Sequence, residues 1–364
     1  MEQKLKIEIK ELRKRQGMTQ KELAEKMQVS FQAVSKWENG VNMPDITHIP
    51  RLIDIFGVSA DELLGLQPRK KQEWRKFDSN EYWNKNRKLF EVWKSLYWND
   101  DYFSFLVSDV WKLNRPMDIL DFGCGYGFLG MKFLPLLPEK SSYTGIELDS
   151  REIERAENIF KATPYEHRFI RQNIYEFHPQ KKYDIVVALY LLSYVKHPQQ
   201  ILEKMKACLK PDGLLIVIDS NMAVEQAGFF AGLEQEENDF QRPDFTPVWE
   251  NETFHRERDF RMGTRLPYLF KKCGMKNIEA RISDRVMIYD SGDKENERFN
   301  HTFRYVYENE DSFQGGKDYF LTRGASYQRA CEYVDYYKKI KNYFDSDDSF
   351  AVKTSGLYFV YASL

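Results

Sequence analysis

A glycine-rich loop with two nearby carboxylates is the part of the sequence best suited to chemistry. Asp121 is followed by glycines at alternate positions, Gly123, Gly125 and Gly127. Glycine allows a sharp turn and lets backbone N–H groups approach a ligand without a Cβ in the way. A helix that starts after such a loop presents its positive end to the ligand. Glu147, at the end of the next apolar run, can accept hydrogen bonds from both hydroxyls of a ribose. These residues predict a site for a nucleoside-containing ligand.

The segments around this loop alternate between short apolar runs and helical stretches. Strand and helix in alternation predict a parallel sheet with helices on both faces, which binds ligands at the carboxyl ends of its strands. A sixth strand, 277–286, is predicted to pair as a hairpin with the last strand, 356–363. The other predicted strands are 117–122, 143–147, 168–171, 183–189 and 214–219, and the predicted helices are 128–137, 150–162, 198–209 and 262–273.

The glycines also allow a second interpretation. Gly125, Gly127 and Gly130 fit the G-x-G-x-x-G fingerprint of dinucleotide-binding folds, and Glu147 lies at a suitable distance for that motif. The motif alone is weak. Asp121 ends the strand two residues before the first glycine, where a carboxylate can meet an amino group of a cofactor, and this favours a different nucleoside cofactor.

Segments downstream of the loop resemble class I S-adenosylmethionine-dependent methyltransferases. The resemblance covers about residues 116–220 and rests on the loop, on Asn173 in Arg-Gln-Asn-Ile, on residues 188–193 and on the Leu-Lys-Pro-Asp-Gly turn at 209–213. It implies a Rossmann-like, mostly parallel seven-stranded sheet and S-adenosyl-L-methionine as cofactor. The cofactor-binding residues that it implies are Asp121, Gly123, Cys124, Gly125, Gly127, Glu147, Leu148, Asn173, Ile174, Ala188 and Leu189.

The methyl acceptor is less well defined by the sequence. Methyl transfer needs placement more than a base, and His197 is the first candidate base, ahead of His255 and Glu225. No Asn/Asp-Pro-Pro-Tyr/Phe motif follows the fourth strand and no Pro-Cys pair is present, so we expect a small-molecule acceptor; protein and RNA remain open. The alternative is a ligand-sensing regulator that uses a non-catalytic methyltransferase fold.

The first 66 residues read as an all-α domain of short helices. Thr19 and Glu22 form a capping box, Ser30 is predicted to cap the next helix, and Val34 and Trp37 are predicted to face its core. The segment Met18–Gly40 resembles the lambda-repressor/Cro-like, or Xre-type, helix-turn-helix family. That resemblance implies DNA as a partner, whereas a solvated face in a protein–protein module is the other interpretation.

The resemblance places the third helix in the major groove. Gln32 would contact a base edge and Lys36 a guanine or a phosphate, while Gln20 and Asn39 would hold phosphates. Binding should gain from dimerisation on a two-fold site, so a homodimer is expected. The predicted DNA-binding residues are Gln20, Phe31, Gln32, Ser35, Lys36 and Asn39.

Length and composition limit the number of domains and the kinds of partner that this chain can have. The 364 residues suggest a helix-turn-helix domain at 1–66, with another capping box that begins at Ser59, a polar, basic linker at 67–80 and a methyltransferase domain at 81–364. Insertions at about 221–259 and 290–350 would cap the active site, and the second contains a tyrosine-rich helical run at 327–344. Tyr82, Trp83 and the aromatic stretch 93–111 predict helices over the cofactor, in contact with it or packed in a core. A net charge of −2 gives no general attraction to nucleic acid. Four unpaired cysteines and no apolar membrane span predict a cytoplasmic protein, and no cluster has metal-ligand spacing.

Overall fold

A computed structural model describes residues 9–58, 60–63, 86–233, 243–255, 258–309 and 316–364. Its packing divides the chain into two compact units. The smaller unit combines the described parts of 1–76, 237–251 and 307–345, and the larger unit combines those of 77–236, 252–306 and 346–364. The predicted insertion 290–350 is therefore divided between the two units, so that the division by packing differs from the division by sequence order.

The second and third helices begin where their capping residues predict. Thr19 Oγ1 accepts a hydrogen bond from the Glu22 N–H at 3.2 Å, and the Glu22 carboxylate accepts one from the Thr19 N–H at 2.6 Å. Ser30 caps the third helix by accepting from the Ala33 N–H. The helices are α1 (Ile9–Arg15), α2 (Gln20–Met27), α3 (Phe31–Glu38), α4 (Ile49–Phe56) and α5 (Ala60–Leu63).

The small unit has its own core, and helices from late in the chain join it. Val34 and Trp37 of α3 are buried, as predicted. The long helix Tyr327–Phe344, which the aromatic pattern predicted, packs against α4: a Cβ on Gly57 would lie 2.8 Å from the Tyr327 backbone nitrogen. Within this unit the ring of Tyr333 stacks on that of Phe245 at 4.6 Å.

The larger unit is built on the predicted seven-stranded, mostly parallel sheet. Its strand order is β3-β2-β1-β4-β5-β10-β7, and β10 is antiparallel to both of its neighbours. The strand order reverses at β1, which lies between β2 and β4, and this switch point is where open parallel sheets bind ligands. The strands are β1 (Asp118–Phe122), β2 (Ser142–Glu147), β3 (Glu166–Arg171), β4 (Tyr183–Leu189), β5 (Leu209–Ser220), β7 (Lys276–Ile282) and β10 (Leu357–Ser363).

Both faces of this sheet are covered. Strand β4 is buried along its whole length, which explains its continuous apolar sequence. Two apolar clusters, one centred on Ile119 and Ile185 and the other on Leu120 and Val186, use alternate residues of the same strands. The remaining helices are α6 (Arg87–Tyr97), α7 (Asp100–Phe105), α8 (Phe128–Phe133), α9 (Ser150–Phe160), α10 (Pro198–Ala207), α11 (Met222–Ala227), α12 (Thr246–Phe254), α13 (Met262–Lys272), α14 (Glu297–Asn309), α15 (Gly316–Leu321) and α16 (Tyr327–Phe344).

One predicted strand, 277–286, is wrong as a single element. The chain runs beside β10 only as far as Ile282 and then leaves the main sheet. Val286–Asp290 forms β8, which pairs with β9 (Phe350–Thr354) in a small antiparallel sheet that β6 (Phe229–Ala231) completes. The apolar alternation of β8 fits a half-buried strand of either sheet, and the pairing with a distant segment is not visible in the local sequence.

Other sequence expectations lie outside the described residues. These are the linker at 67–80, the second capping box at Ser59 and the aromatic residues Tyr82 and Trp83. None of the helices within the described ranges is long and apolar enough to cross a bilayer.

Candidate active site

The loop after β1 has the backbone geometry that requires glycine. Gly123, Gly125 and Gly127 have φ angles of +70°, +52° and +82°. A Cβ added to Gly127 would lie 2.7 Å from the Phe160 ring, whereas one on Gly125 would meet nothing closer than Glu152 Oε2 at 3.9 Å. Gly127 is therefore needed for packing, and Gly125 leaves open space beside the loop.

Glu147, at the end of β2, is held in a fixed orientation by backbone donors. Its carboxylate accepts hydrogen bonds from the N–H groups of Gly125 at 3.0 Å, Leu148 at 2.6 Å and Asp149 at 3.0 Å. A carboxylate has about four acceptor positions, so this geometry orients the side chain and leaves it able to accept from a ligand.

Asp121, the last residue but one of β1, is a buried and incompletely paired carboxylate. Its Oδ2 accepts a hydrogen bond from the Tyr143 hydroxyl at 2.6 Å, whereas its Oδ1 is buried and has no hydrogen-bond partner among the described residues. Burial raises the pKa of Asp121 to about 7, although the bond from Tyr143 and the charge of Lys94 oppose this. An orphaned buried acceptor of this kind indicates a group that the protein binds from outside.

The loop and the strand ends line a cleft of about 650 Å³, which lies in the usual size range of small-molecule sites. Helix α6 lies on its other side and contributes Lys94. The residues lining this cleft are Arg87, Phe90, Glu91, Lys94, Gly123, Gly125, Tyr126, Glu147, Leu148, Asp149, Ser150, Arg151, Glu152, Arg171, Asn173, Ile174, Tyr175, Leu189, Tyr190, Leu191, Tyr194 and Val195.

A smaller cavity, which we call the inner cavity, adjoins the cleft. Its volume is about 20 Å³, which is room for about one water molecule. Tyr190, just after β4, lines both spaces and has the left-handed φ of +50° that is rare outside glycine. The residues lining the inner cavity are Phe90, Trp93, Lys94, Tyr97, Tyr190, Ser193, Tyr194, Ser220, Met222, Glu225, Arg258, Asp259 and Phe260.

Two protein families match parts of this chain. Residues 9–63 match the helix-turn-helix family, and residues 120–215, which include the glycine loop and the cleft strands, match a methyltransferase domain family. The chain carries a helix-turn-helix domain and a methyltransferase domain.

Individual methyltransferases are similar to part of this chain. The chain is 26% identical to the ubiquinone biosynthesis O-methyltransferase of Rickettsia felis over 42% of its own length and 62% of that protein. It is 28% identical to the malonyl-[acyl-carrier protein] O-methyltransferase of Halalkalibacterium halodurans over 28% of its own length and 39% of that protein. The chain thus spans less than two thirds of the length of these relatives.

A solved structure of Haemonchus contortus phosphoethanolamine N-methyltransferase 2 aligns with 79% of this chain and 60% of its own, at 13% identity and a TM-score of 0.45.

The methyltransferase domain brings most of the predicted cofactor residues to the cleft. Those that line it are Gly123, Gly125, Glu147, Leu148, Asn173, Ile174 and Leu189. The others support it from behind: Asp121 and Ala188 are buried at strand ends, Gly127 packs on Phe160, and Cys124 is buried with its Sγ pointing at Gly145.

His197 is not brought to the cleft or to the inner cavity. It is exposed at the start of α10 and lines a shallow depression with Lys196 and Gln199, which shares Ser193, Arg258 and Asp259 with the inner cavity. The described residues that line the cleft and the inner cavity include no histidine. The proposed function below therefore does not use His197 as a base.

Sequence reasoning did not single out Lys94, and it included Tyr190 only as part of the segment 188–193 on which the resemblance rests. Burial lowers the pKa of Lys94, against the attraction of Asp121 and Glu152. Its ammonium lies 5.0 Å from the Tyr126 ring centroid. For Lys94, the only sequence signal was the aromatic stretch that begins at Trp93. That stretch predicted helices over the cofactor but did not show which residues contact the cofactor and which pack in a core.

The predicted DNA-binding side chains occupy one side of α3 and its ends. Phe31, Gln32, Lys36 and Asn39 are exposed, and Ser35 is half-buried beside Asn39. Gln20 differs, because its amide donates to Glu38 at 2.8 Å. This bond ties the start of α2 to the end of α3.

A matched pair of glycine substitutions tests the cleft. Gly125→Ala and Gly274→Ala both put a side chain at a positive φ, +52° and +66°, so each should destabilise the domain by about 1–2 kcal/mol. Only Gly125→Ala places a methyl group in the cleft. We expect cofactor affinity, measured by calorimetry, to fall about tenfold or more for Gly125→Ala and to stay unchanged for Gly274→Ala. Equal affinity in both variants would exclude the cleft as the cofactor site.

Proposed function

We propose that this protein is an S-adenosyl-L-methionine-dependent methyltransferase that acts on a small molecule, and that its N-terminal domain binds DNA. The observation that carries the enzymatic part is the buried, unpartnered Oδ1 of Asp121, which lies two residues before Gly123, the first glycine that lines the cleft. A carboxylate in that position needs a donor, and an amino group on a cationic cofactor supplies one.

The residues present fit this cofactor. Asp121 would accept from the amino group, Glu147 from the ribose, and Asn173 from the adenine amino group, while Gly123 and Gly125 leave room for close backbone approach. When bound, the cofactor supplies a methyl group on a sulfonium. No step requires a metal from the protein.

The protein contributes placement to the reaction. The bound cofactor would supply its methyl group to a lone pair of the acceptor, and the electron pair of the broken carbon–sulfur bond would stay on sulfur. The inner cavity adjoins the cleft, so Phe90, Tyr190 and Tyr194, which line both, would hold the acceptor in line and exclude water. Met222, Glu225 and Arg258 of the first insertion line the inner cavity, and we propose that this insertion caps the site.

Transfer of labelled methyl groups tests the enzymatic proposal. Purified full-length protein, incubated with methyl-labelled cofactor and a small-molecule extract of cells, should label a low-mass compound, and excess S-adenosylhomocysteine should suppress the labelling. Labelling of protein or nucleic acid alone would contradict a small-molecule acceptor. Cofactor binding without labelling in any extract would favour the non-catalytic sensor.

The DNA-binding proposal rests on the exposed side of α3. Gln32 would contact a base edge and Lys36 a base or phosphate, with Ser35, Phe31 and Asn39 around them. Selection of bound sequences from random DNA should enrich a two-fold symmetric site if the protein dimerises. The variant Gln32→Ala should relax specificity at one position, and Lys36→Ala should weaken all sequences. Failure to retain any DNA at low salt would refute the proposal.

A further inference from the structure

Phe31 is a large aromatic side chain that the N-terminal domain leaves on its surface. It is the first residue of α3, directly after the capping Ser30, and its relative exposure is 49%. The opposite side of the helix faces the core, where Val34 and Trp37 are buried. Phe31 belongs neither to this core nor to the partly buried apolar residues that pack against it. The ring therefore contributes little to the stability of the domain.

The residues beside Phe31 are polar. Helical residues four positions apart lie on the same side of the helix, so Ser35 follows Phe31 in one row and Lys36 follows Gln32 in the next. Gln32 and Lys36 are exposed, and Ser35 is half-buried. A single apolar side chain on a protein surface is ordinary. Phe31, however, lies on the side of α3 that carries the proposed base contacts, and at the N-terminal end, which is the end of a recognition helix that contacts base edges.

The major groove of DNA offers an aromatic ring one apolar partner among the four bases. Thymine presents its C5-methyl group there, whereas the exocyclic groups of adenine, guanine and cytosine in this groove donate or accept hydrogen bonds. A phenyl ring placed against a donor or acceptor would exclude water without replacing the lost hydrogen bond, which costs free energy. The same ring placed against the methyl group removes apolar surface from water, which is favourable. The chemistry of the ring therefore favours thymine.

We propose that Phe31 selects thymine, because its ring contacts the C5-methyl group of one thymine in the bound site, next to the base that Gln32 contacts. This inference rests on the proposed DNA binding, since it names one base within that site. Phe31 acts in it as a specificity-determining residue.

Replacement of thymine by uracil isolates this contact, because deoxyuridine pairs with adenine in the same way and lacks only the C5-methyl group. The full-length protein first selects its site from random DNA, and each thymine of that site is then replaced singly. We expect a replacement at one position to weaken binding about fourfold, which corresponds to about 0.8 kcal/mol for one buried methyl group.

Two variants show whether Phe31 causes this loss. Phe31→Ser should bind the thymine and uracil forms of the site equally at that position, and it should stay folded because the ring is exposed and lies outside the core. Ile46→Ala is the matched control, since Ile46 is another exposed apolar residue, with a relative exposure of 82%, and lies between α3 and α4. This control should keep the fourfold difference.

The outcomes separate the inference from the proposed DNA binding. A bound site in which no uracil replacement weakens binding would overturn the role of Phe31. A loss that persists in full in Phe31→Ser, or that disappears equally in Ile46→Ala, would also overturn it. If the wild type retains no DNA at low salt, the proposed DNA binding itself fails and this inference fails with it.

Discussion

Asp121→Asn is expected to weaken binding of S-adenosyl-L-methionine by at least about 30-fold, or 2 kcal/mol. The substitution keeps the size of the side chain and removes the charge that the cofactor's amino group would meet. The same substitution should not destabilise the cofactor-free protein at pH 8, because it removes a buried anion whose Oδ1 has no partner among the described residues. Calorimetry gives the affinity and urea unfolding gives the stability.

Asp118→Asn is the matched control on the same strand. Asp118 bonds Ser142 and Lys210 and does not line the cleft, so its substitution should leave cofactor affinity within about twofold. A loss of affinity in Asp118→Asn equal to that in Asp121→Asn would mean that both act through the strand and not through contact.

The pH dependence gives Asp121 an independent signature. Burial raises its pKa to about 7 in the folded protein, above the value near 4 of an unfolded chain. The folded state therefore binds more protons between these values, and stability falls as pH rises from about 4 to 7, by about 1.4 kcal/mol per unit at most. Asp219, whose pKa burial also raises to about 7, adds a similar slope, so the difference between wild type and Asp121→Asn isolates Asp121. Cofactor affinity should increase over the same pH range and then level off.

The sequence predicted the residues that line the cleft better than those that line the inner cavity, and the reason is physical. The loop residues and Glu147 lie within single strand–loop–helix units, where glycine spacing and apolar runs determine the local backbone. The inner cavity draws its lining from α6, from the segments after β4 and β5, and from Arg258–Phe260. No local pattern shows that such distant segments meet. The sequence therefore did not distinguish Lys94 from any other lysine on a helix.

The packing of the helix at 327–344 could not be predicted from the sequence for a similar reason. The pattern of 327–344 predicted a helix of the right length. An amphipathic pattern does not show which part of the protein the apolar side of that helix packs against. The stacking of Tyr333 on Phe245 and the close approach of Gly57 to Tyr327 place this helix in the small unit with α4. His197 is a different case: it follows β4 as the sequence indicates, but it is exposed at the start of α10 and lines neither the cleft nor the inner cavity.

Glu38→Ala is expected to unfold the helix-turn-helix region locally, at a cost of about 3–5 kcal/mol. The Glu38 side chain is fully buried and pairs with Arg13 through two hydrogen bonds, the longer one 2.9 Å, while Arg13 also donates to the Met18 carbonyl at 2.6 Å. Burial opposes ionisation of Glu38, but the bonds from Arg13 and Gln20 hold its pKa below the usual range. Removing the carboxylate leaves the Arg13 guanidinium buried without its counter-charge.

Amide hydrogen exchange in α1–α3 measures this local stability directly. Glu25→Ala, an exposed acidic residue of α2, is the control and should change protection by no more than about 0.5 kcal/mol. The double variant Arg13→Met with Glu38→Leu should recover most of the loss, because apolar residues of similar volume often replace a buried ion pair without cost. Glu38 joins α3 to α1 through Arg13 and to α2 through Gln20. If these bonds determined only the orientation of α3, the Glu38→Ala variant would keep its exchange protection and lose DNA binding.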